Sequence, residues 1–67
     1  MNERIKELRI TLGLSQEDLG QRVGVTRGAI SRIENGSNNV TPAMILAICR
    51  EFGVNEEWLR TGNGSMF

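Results

Sequence analysis

Two short amphipathic patterns that meet at a glycine constrain this chain more than any other feature. Residues 16–35 read QEDLGQRVGVTRGAISRIEN, and Gly24 interrupts them after barely two helical turns. Ser15 and Thr26 precede the two patterns, at positions where a hydroxyl can accept a hydrogen bond from the free backbone N–H groups of a helix start. The stretch therefore predicts two helices joined by a tight turn, the second over residues 27–34.

Three further helices are predicted on either side of this pair. Residues 3–12 and 42–52 each carry an apolar stripe at helical spacing. Pro42 stands at the first helical position of the second of these, where its missing N–H is tolerated. Asn55 caps a last short helix, and no strand pattern or internal repeat is present in the sequence. The predicted fold is all-α, a compact bundle of five helices.

Length and composition exclude several classes of protein. The 67 residues hold one small domain, predicted over residues 1–62, and residues 63–67 form a C-terminal tail that we expect to be frayed. The chain has a single cysteine, Cys49, and no histidine, so it contains neither an internal disulfide nor the residues of a Cys/His zinc site or a Ser-His-Asp triad. We expect no enzymatic activity, no metal, no cofactor and no small-molecule ligand.

Charge and hydropathy bear on location and partners. The N-terminal residues mix charges throughout and hold no apolar run of the length that a signal peptide or a membrane span needs, so we expect a cytoplasmic protein without a membrane partner. The net charge is zero and the pI about 6.2, which counts against a nucleic-acid binder judged on whole-chain charge alone. Any case for DNA therefore depends on where particular arginines point.

Several positions in and after the paired helices match one motif. A glutamine opens the first helix at Gln16, a very small residue follows at Gly20, and Gly24 makes the turn. The sequences IENG at residues 33–36 and GVNEEWL at residues 53–59 complete the pattern. On these residues the chain resembles, over nearly its whole length, the phage repressor and Cro family of helix-turn-helix DNA-binding domains, which have the lambda-repressor-like fold. The resemblance implies double-stranded DNA as the partner.

The second helix of the motif has one polar and one apolar face, as the period of about 100° per residue predicts. In the family the N-terminal part of this helix enters the major groove, and its polar side chains meet base edges. Arginine suits that task because its planar fork can bond guanine O6 and N7 together. The resemblance assigns base contact to Arg27, Gly28, Ser31 and Arg32.

The sequence leaves alternatives open at three of these positions. Charged residues such as Arg27 and Arg32 also occur on solvated faces without a function, and either arginine could contact phosphate instead of a base. Gly28, where many relatives have a longer polar side chain, would either let the backbone approach the groove closely or contribute no specificity.

Helix starts and the loop after the motif imply contacts to the DNA backbone. Free N–H groups and the positive end of the helix dipole suit a phosphate. Thr26 also has a sufficient explanation as a cap, and Asn-Gly is ordinary turn chemistry. The resemblance assigns backbone contact to Gln16, Thr26, Asn35, Ser37, Asn38 and Asn39.

Other motif residues have structural explanations. Gly20 lies where the two helices cross, so that a longer side chain would push them apart, and Gly24 ends the first helix. The family commonly pairs a glutamate at the position of Glu34 with an arginine at that of Arg9. Such a partly buried ion pair would fix the second motif helix against the first helix of the chain, with a net stabilisation that can be near zero.

The resemblance implies a transcriptional regulator, and specifically a repressor that binds a pseudo-palindromic operator as a dimer, with half-sites about one helical turn apart. The dimer contact is expected at the last helix, at Trp58, Leu59 and Arg60, although core packing is the better explanation for Trp58. The rival hypothesis is a protein-interaction module such as an antitoxin-like subunit, which the zero net charge keeps open.

Overall fold

The structure, a computed structural model, describes residues 2–67, and five α-helices account for all regular secondary structure in that part of the chain. The helices are α1 (Asn2–Thr11), α2 (Gln16–Val23), α3 (Arg27–Glu34), α4 (Pro42–Phe52) and α5 (Glu56–Thr61). The predicted all-α fold of five helices is confirmed. No helix within residues 2–67 combines the length and the apolar character that crossing a membrane needs.

Local hydrogen bonds define the start and the end of α2. Ser15 Oγ accepts a hydrogen bond from Asp18 N at 3.0 Å, and Asp18 Oδ2 accepts one from Ser15 N at 3.2 Å, which completes a capping box. Gly24 ends the helix with φ of 83°, a left-handed conformation in which glycine has no steric penalty. Thr26 Oγ1 then accepts from Ala29 N at 3.1 Å and caps α3. The turn between the two helices is therefore encoded locally, as predicted.

The core is the place where all five helices bury their apolar faces. α2 packs most closely against α3, α3 also packs against α1, and α4 packs against both α2 and α5. α3 is thus held on its apolar side by two other helices, which leaves its opposite face to solvent. The large side chains that are wholly buried are Ile5, Leu8, Leu19, Ile30, Ile45, Ile48 and Leu59.

The C-terminal tail folds back on the bundle, contrary to the expectation that it is frayed. Gly62 and Gly64 have φ of 84° and 80°, and these left-handed residues reverse the chain. Asn55 N then donates to Met66 O at 2.8 Å, and Asn55 Nδ2 donates to Ser65 O at 3.1 Å. The Met66 side chain packs against the core. Residues 65–66 are therefore held at the N-terminal end of α5.

Candidate nucleic-acid interface

The turn between α2 and α3 passes directly over Gly20, which is buried. A Cβ atom at this position would lie 2.5 Å from Val25 O and 3.2 Å from the carbonyl carbon of Thr26. Val25 N donates to Gly20 O at 2.8 Å, so the backbone of the turn is also bonded to the helix that it crosses. The angle between α2 and α3 thus depends on the missing side chain of Gly20.

One face of α3 is open to solvent and carries the predicted base-contacting residues. Arg27, Gly28 and Arg32 are exposed and Ser31 is half-buried, whereas the other side of the helix is buried in the core. Gln16, at the start of α2, borders the same face. A shallow depression of about 260 Å³ is lined by Gln16, Arg27, Gly28 and Ser31. The depression therefore brings Gln16 together with three of the four predicted base contacts, and Arg32 is exposed on the same face of α3.

A second shallow depression adjoins the first and shares Gln16 and Ser31 with it. Lys6 of α1 lines it and had no assigned role in the sequence. Lys6 and Arg9 are three residues apart on α1, so they lie on the same side of that helix. The sequence signal that identifies Lys6 is this spacing, because the resemblance places Arg9 against α3. Lys6 adds an exposed positive charge beside the face of α3.

The arginines on this face are free of acidic partners. Within residues 2–67, ion pairs join Arg9 to Glu34, Arg22 to Glu51 and Arg60 to Glu56. Arg27 and Arg32 take part in none of these pairs, so no carboxylate neutralises their charges.

The N-terminal ends of α2 and α3 differ in their attraction for an anion. The first turn of α2 carries Glu17 and Asp18, whereas the first turn of α3 carries no acidic residue. Acidic side chains neutralise the positive end of a helix dipole. The first intrahelical hydrogen bond of α3 is donated by Ile30 to Thr26 O, so the N–H groups of Arg27 and Gly28 lie at its open end. The start of α3 is therefore the better place for a phosphate.

Glu34 joins Arg9 to Gln16 behind this face. Arg9 donates to the carboxylate through Nε at 2.7 Å and Nη2 at 3.1 Å, and Gln16 Nε2 donates to Glu34 Oε1 at 3.3 Å. The side chains of Arg9 and Glu34 are only 15% and 5% exposed. The hydrogen bond and the charge of Glu34 raise the pKa of Arg9 above its usual value, although burial opposes this. The predicted ion pair is thus present, and it orients the Gln16 amide.

The loop after α3 turns back along the helix. Ser37 N donates to Arg32 O and to Asn35 Oδ1, both at 2.9 Å. The Asn38 amide is best oriented with its oxygen toward Arg32, because Oδ1 then accepts from Arg32 Nε at 3.2 Å and Nδ2 donates to Ser37 O at 3.0 Å. Asn35, Ser37, Asn38 and Asn39 are exposed. Their contact with a DNA backbone stays a prediction.

The residues predicted to form a dimer contact do not share one surface. Leu59 has no exposed surface and Trp58 is 8% exposed, so both side chains belong to the core. The prediction of a dimer contact is therefore wrong for the Leu59 side chain, because α5 turns this face inward against α4. Arg60 is exposed, and its Nε donates to Glu56 Oε2 at 2.8 Å. Of the three residues predicted to form the dimer contact, Arg60 alone is exposed.

The described part of the chain offers no cluster of three or more His, Cys, Asp or Glu side chains that could hold a metal ion. The thiol of Cys49 is half-buried, and burial raises its pKa, so it is less readily ionised than an exposed cysteine. The face of α3 presents hydrogen-bond donors and positive charges through its exposed residues Arg27 and Arg32.

A family model described as helix-turn-helix matches residues 5–59. The chain belongs to this helix-turn-helix family. Its relatives include the HTH-type transcriptional regulator YgzD of Bacillus subtilis, 43% identical over 94% of this chain and 100% of that protein. The antitoxin PezA of Streptococcus pneumoniae is 38% identical over 82% of this chain but only 35% of PezA.

Among solved structures, this helix-turn-helix chain is similar to the P22 c2 repressor, crystallised with a synthetic operator. The two share a TM-score of 0.83 and 31% identity, over 92% of this chain and 94% of the repressor chain. The predicted resemblance to lambda-repressor-like domains is confirmed. The chain is a DNA-binding transcriptional regulator, in a family of regulators rather than enzymes, as the sequence predicted.

Proposed function

We propose that this protein is a cytoplasmic repressor that binds a pseudo-palindromic operator as a dimer, with α3 in the major groove. The observation that carries the proposal is the open face of α3, where Arg27 and Arg32 are exposed and free of carboxylates while the opposite side of the helix is buried. The likeness to the P22 c2 repressor, which was crystallised with an operator, supports the same mode of binding.

Each part of this face has a proposed task. The arginine side chains bond base edges, for which guanine O6 and N7 are the best acceptors. The N–H groups at the open end of α3 and the Gln16 side chain, which Glu34 holds in place, bind phosphates on the two sides of the groove. Thr26, Asn35 and residues 37–39 are proposed as further backbone contacts.

Alanine variants separate base contacts from backbone contacts. We expect Arg27→Ala or Arg32→Ala, where the arginine reads a base, to cost about 1 to 3 kcal/mol of binding and to relax the preference at one operator position. Gln16→Ala should weaken binding to all sequences alike. The measurement is selection of sites from random DNA, followed by titration of the selected site and its single-base variants.

Arg50→Ala is the matched control, because Arg50 is an exposed arginine of α4 and its loss changes the net charge equally. It should leave the order of preferred bases unchanged. If both α3 variants lose affinity uniformly, the two arginines contact phosphate and not bases. If wild-type protein has negligible affinity for DNA even at low salt, where phosphate contacts are strongest, the proposal is wrong.

The proposed dimer is tested by the spacing of half-sites. We expect two protein chains to bind a palindrome cooperatively when the half-site centres are about one helical turn apart. Inserting about 5 bp, half a turn, places the half-sites on opposite sides of the duplex and should abolish the cooperativity. The measurement is titration monitored by native electrophoresis or ultracentrifugation. Equal cooperativity at both spacings, or a complex with a single chain, would contradict the dimer.

A protein-interaction module related to antitoxins is the second candidate, and the similarity to PezA favours it. The chain covers only 35% of PezA, so the likeness concerns one part of that protein. A protein interface based on apolar contacts should persist as salt rises, whereas phosphate binding weakens steeply. A salt-resistant complex with a protein partner, together with negligible DNA binding, would favour this candidate over the repressor.

A further inference from the structure

The guanidinium of Arg32 lies over Gly28. A Cβ atom built on Gly28 would be 3.2 Å from Arg32 Nη1, so the arginine occupies the space that a side chain at position 28 would fill. Residues four apart share a helix face, and a helical side chain points back toward the N-terminus. Most residues at position 28 would therefore compete with Arg32 for this space. Gly28 has no side chain and leaves this space to the guanidinium.

The space over Gly28 determines where along α3 the hydrogen-bond donors of Arg32 lie. Four residues of α-helix span about 6 Å along the axis, so the guanidinium lies one turn nearer the N-terminal end of α3 than its own Cα. That end borders the depression lined by Gln16, Arg27, Gly28 and Ser31. Arg32 thereby contributes its donors at the same end of the helix as Arg27.

Asn38 holds the guanidinium of Arg32 at its Nε atom. In the favoured amide orientation its Oδ1 accepts from Arg32 Nε at 3.2 Å, while Arg32 Nη1 lies over Gly28. Electrostatics alone does not explain the arrangement, because a cation is disfavoured at the positive end of a helix. Available space and the Asn38 bond account for it, and an electronegative acceptor on DNA would stabilise it further.

We propose that Gly28 determines operator specificity through Arg32, as a positioning residue and not as a direct contact. The missing side chain lets the guanidinium fold toward the start of α3, and Asn38 fixes its Nε in this conformation. The proposal rests on DNA reading by α3. It replaces both explanations that the sequence left open for Gly28, close approach of the backbone and absence of any role.

A double-mutant cycle with Gly28→Leu and Arg32→Ala tests this coupling. A leucine fills the space of the guanidinium and should turn Arg32 away from the start of the helix. We expect each single variant to reduce the preference for the same base, at the same operator position, by about 5-fold or more. The double variant should show no further loss beyond that of Arg32→Ala. The readout is affinity for the selected operator and its single-base variants.

Arg27→Ala supplies the matched background, because adjacent helical residues do not face each other. In the Arg27→Ala background, Gly28→Leu should reduce the base preference as much as it does in the wild type. Asn38→Ala should shift preference at the same position as Gly28→Leu, although it leaves position 28 unchanged. If the Gly28→Leu effect persists in full without Arg32, the leucine itself clashes with DNA and the proposal is overturned.

The arrangement is also observable without DNA. In the free protein we expect a nuclear Overhauser effect between the side-chain N–H protons of Arg32 and the α protons of Gly28, and we expect Asn38→Ala to weaken it. Its absence overturns the inferred conformation whatever the protein binds. Operator binding without coupling overturns this inference alone, whereas the absence of any DNA binding by wild-type protein overturns the proposed function and this inference with it.

Discussion

Gly20→Ala is expected to destabilise the protein by about 1 to 3 kcal/mol. The added Cβ would lie 2.5 Å from Val25 O, and the atoms that it meets belong to the backbone of the turn. A backbone carbonyl cannot rotate aside as a flexible side chain does, so α2 and α3 must separate. This cost outweighs the gain of about 1 kcal/mol that alanine normally brings to a helix interior. Gly20→Leu should be worse, because the larger side chain needs more space at the same crossing.

Gly28→Ala is the matched control for this prediction, since it makes the same chemical change in the neighbouring helix. Its Cβ would meet the end of the flexible Arg32 side chain at 3.2 Å, with no backbone atom as close. Helix propensity should therefore dominate and raise stability, by less than the roughly 1 kcal/mol of a helix interior because Gly28 lies in the first turn of α3. Thermal unfolding measures both, and 1 kcal/mol corresponds to a shift of about 4–8 °C in a domain of this size. Shifts of the same sign in the two variants would contradict the crossing argument.

The elements of the fold were predictable because their signals are local. The capping box of Ser15 and Asp18, the cap at Thr26 and the left-handed Gly24 each depend on residues within four positions of one another. The return of the tail was not predictable in this way. Gly62 and Gly64 favour a turn, but the hydrogen bonds that hold the tail join Asn55 to residues 65–66, and no local signal shows that the chain packs back against that cap.

In the candidate site, too, features that depend on local geometry were predictable and features that depend on distant contacts were not. The helical period alone placed the polar residues of α3 on one face, because backbone geometry decides it. The conformation of Arg32 over Gly28 depends on a loop residue, Asn38, and on the rotamer of one long side chain. The error at Leu59 has a similar origin, since the rotation of a six-residue helix is fixed by what it packs against and not by its own short pattern.

Glu34→Ala should reduce stability more than any other removal of a single charge, by about 3 to 5 kcal/mol. The change leaves Arg9, whose side chain is 15% exposed, without its carboxylate, and it removes the acceptor of Gln16 Nε2. A domain of this size has a total stability of only about 3 to 10 kcal/mol, so a large part of the population could unfold at moderate temperature. Urea denaturation of wild type and variant measures the loss.

The exposed pair of Arg22 and Glu51 provides the control for this loss. Its Nε–Oε distance of 2.7 Å equals that of Arg9 and Glu34, but its side chains are 51% and 38% exposed. Glu51→Ala should therefore cost no more than about 1 kcal/mol, because water solvates the arginine that remains.

Replacing both Arg9 and Glu34 with apolar residues of similar size should recover most of the stability lost in Glu34→Ala, since no unpaired charge is then buried. If the double variant recovered stability but still bound DNA weakly, the pair would act by orienting Gln16 and α3 more than by stabilising the fold. If Glu34→Ala cost no more than Glu51→Ala, burial of the Arg9 charge would have no energetic consequence, and this account of the pair would be wrong.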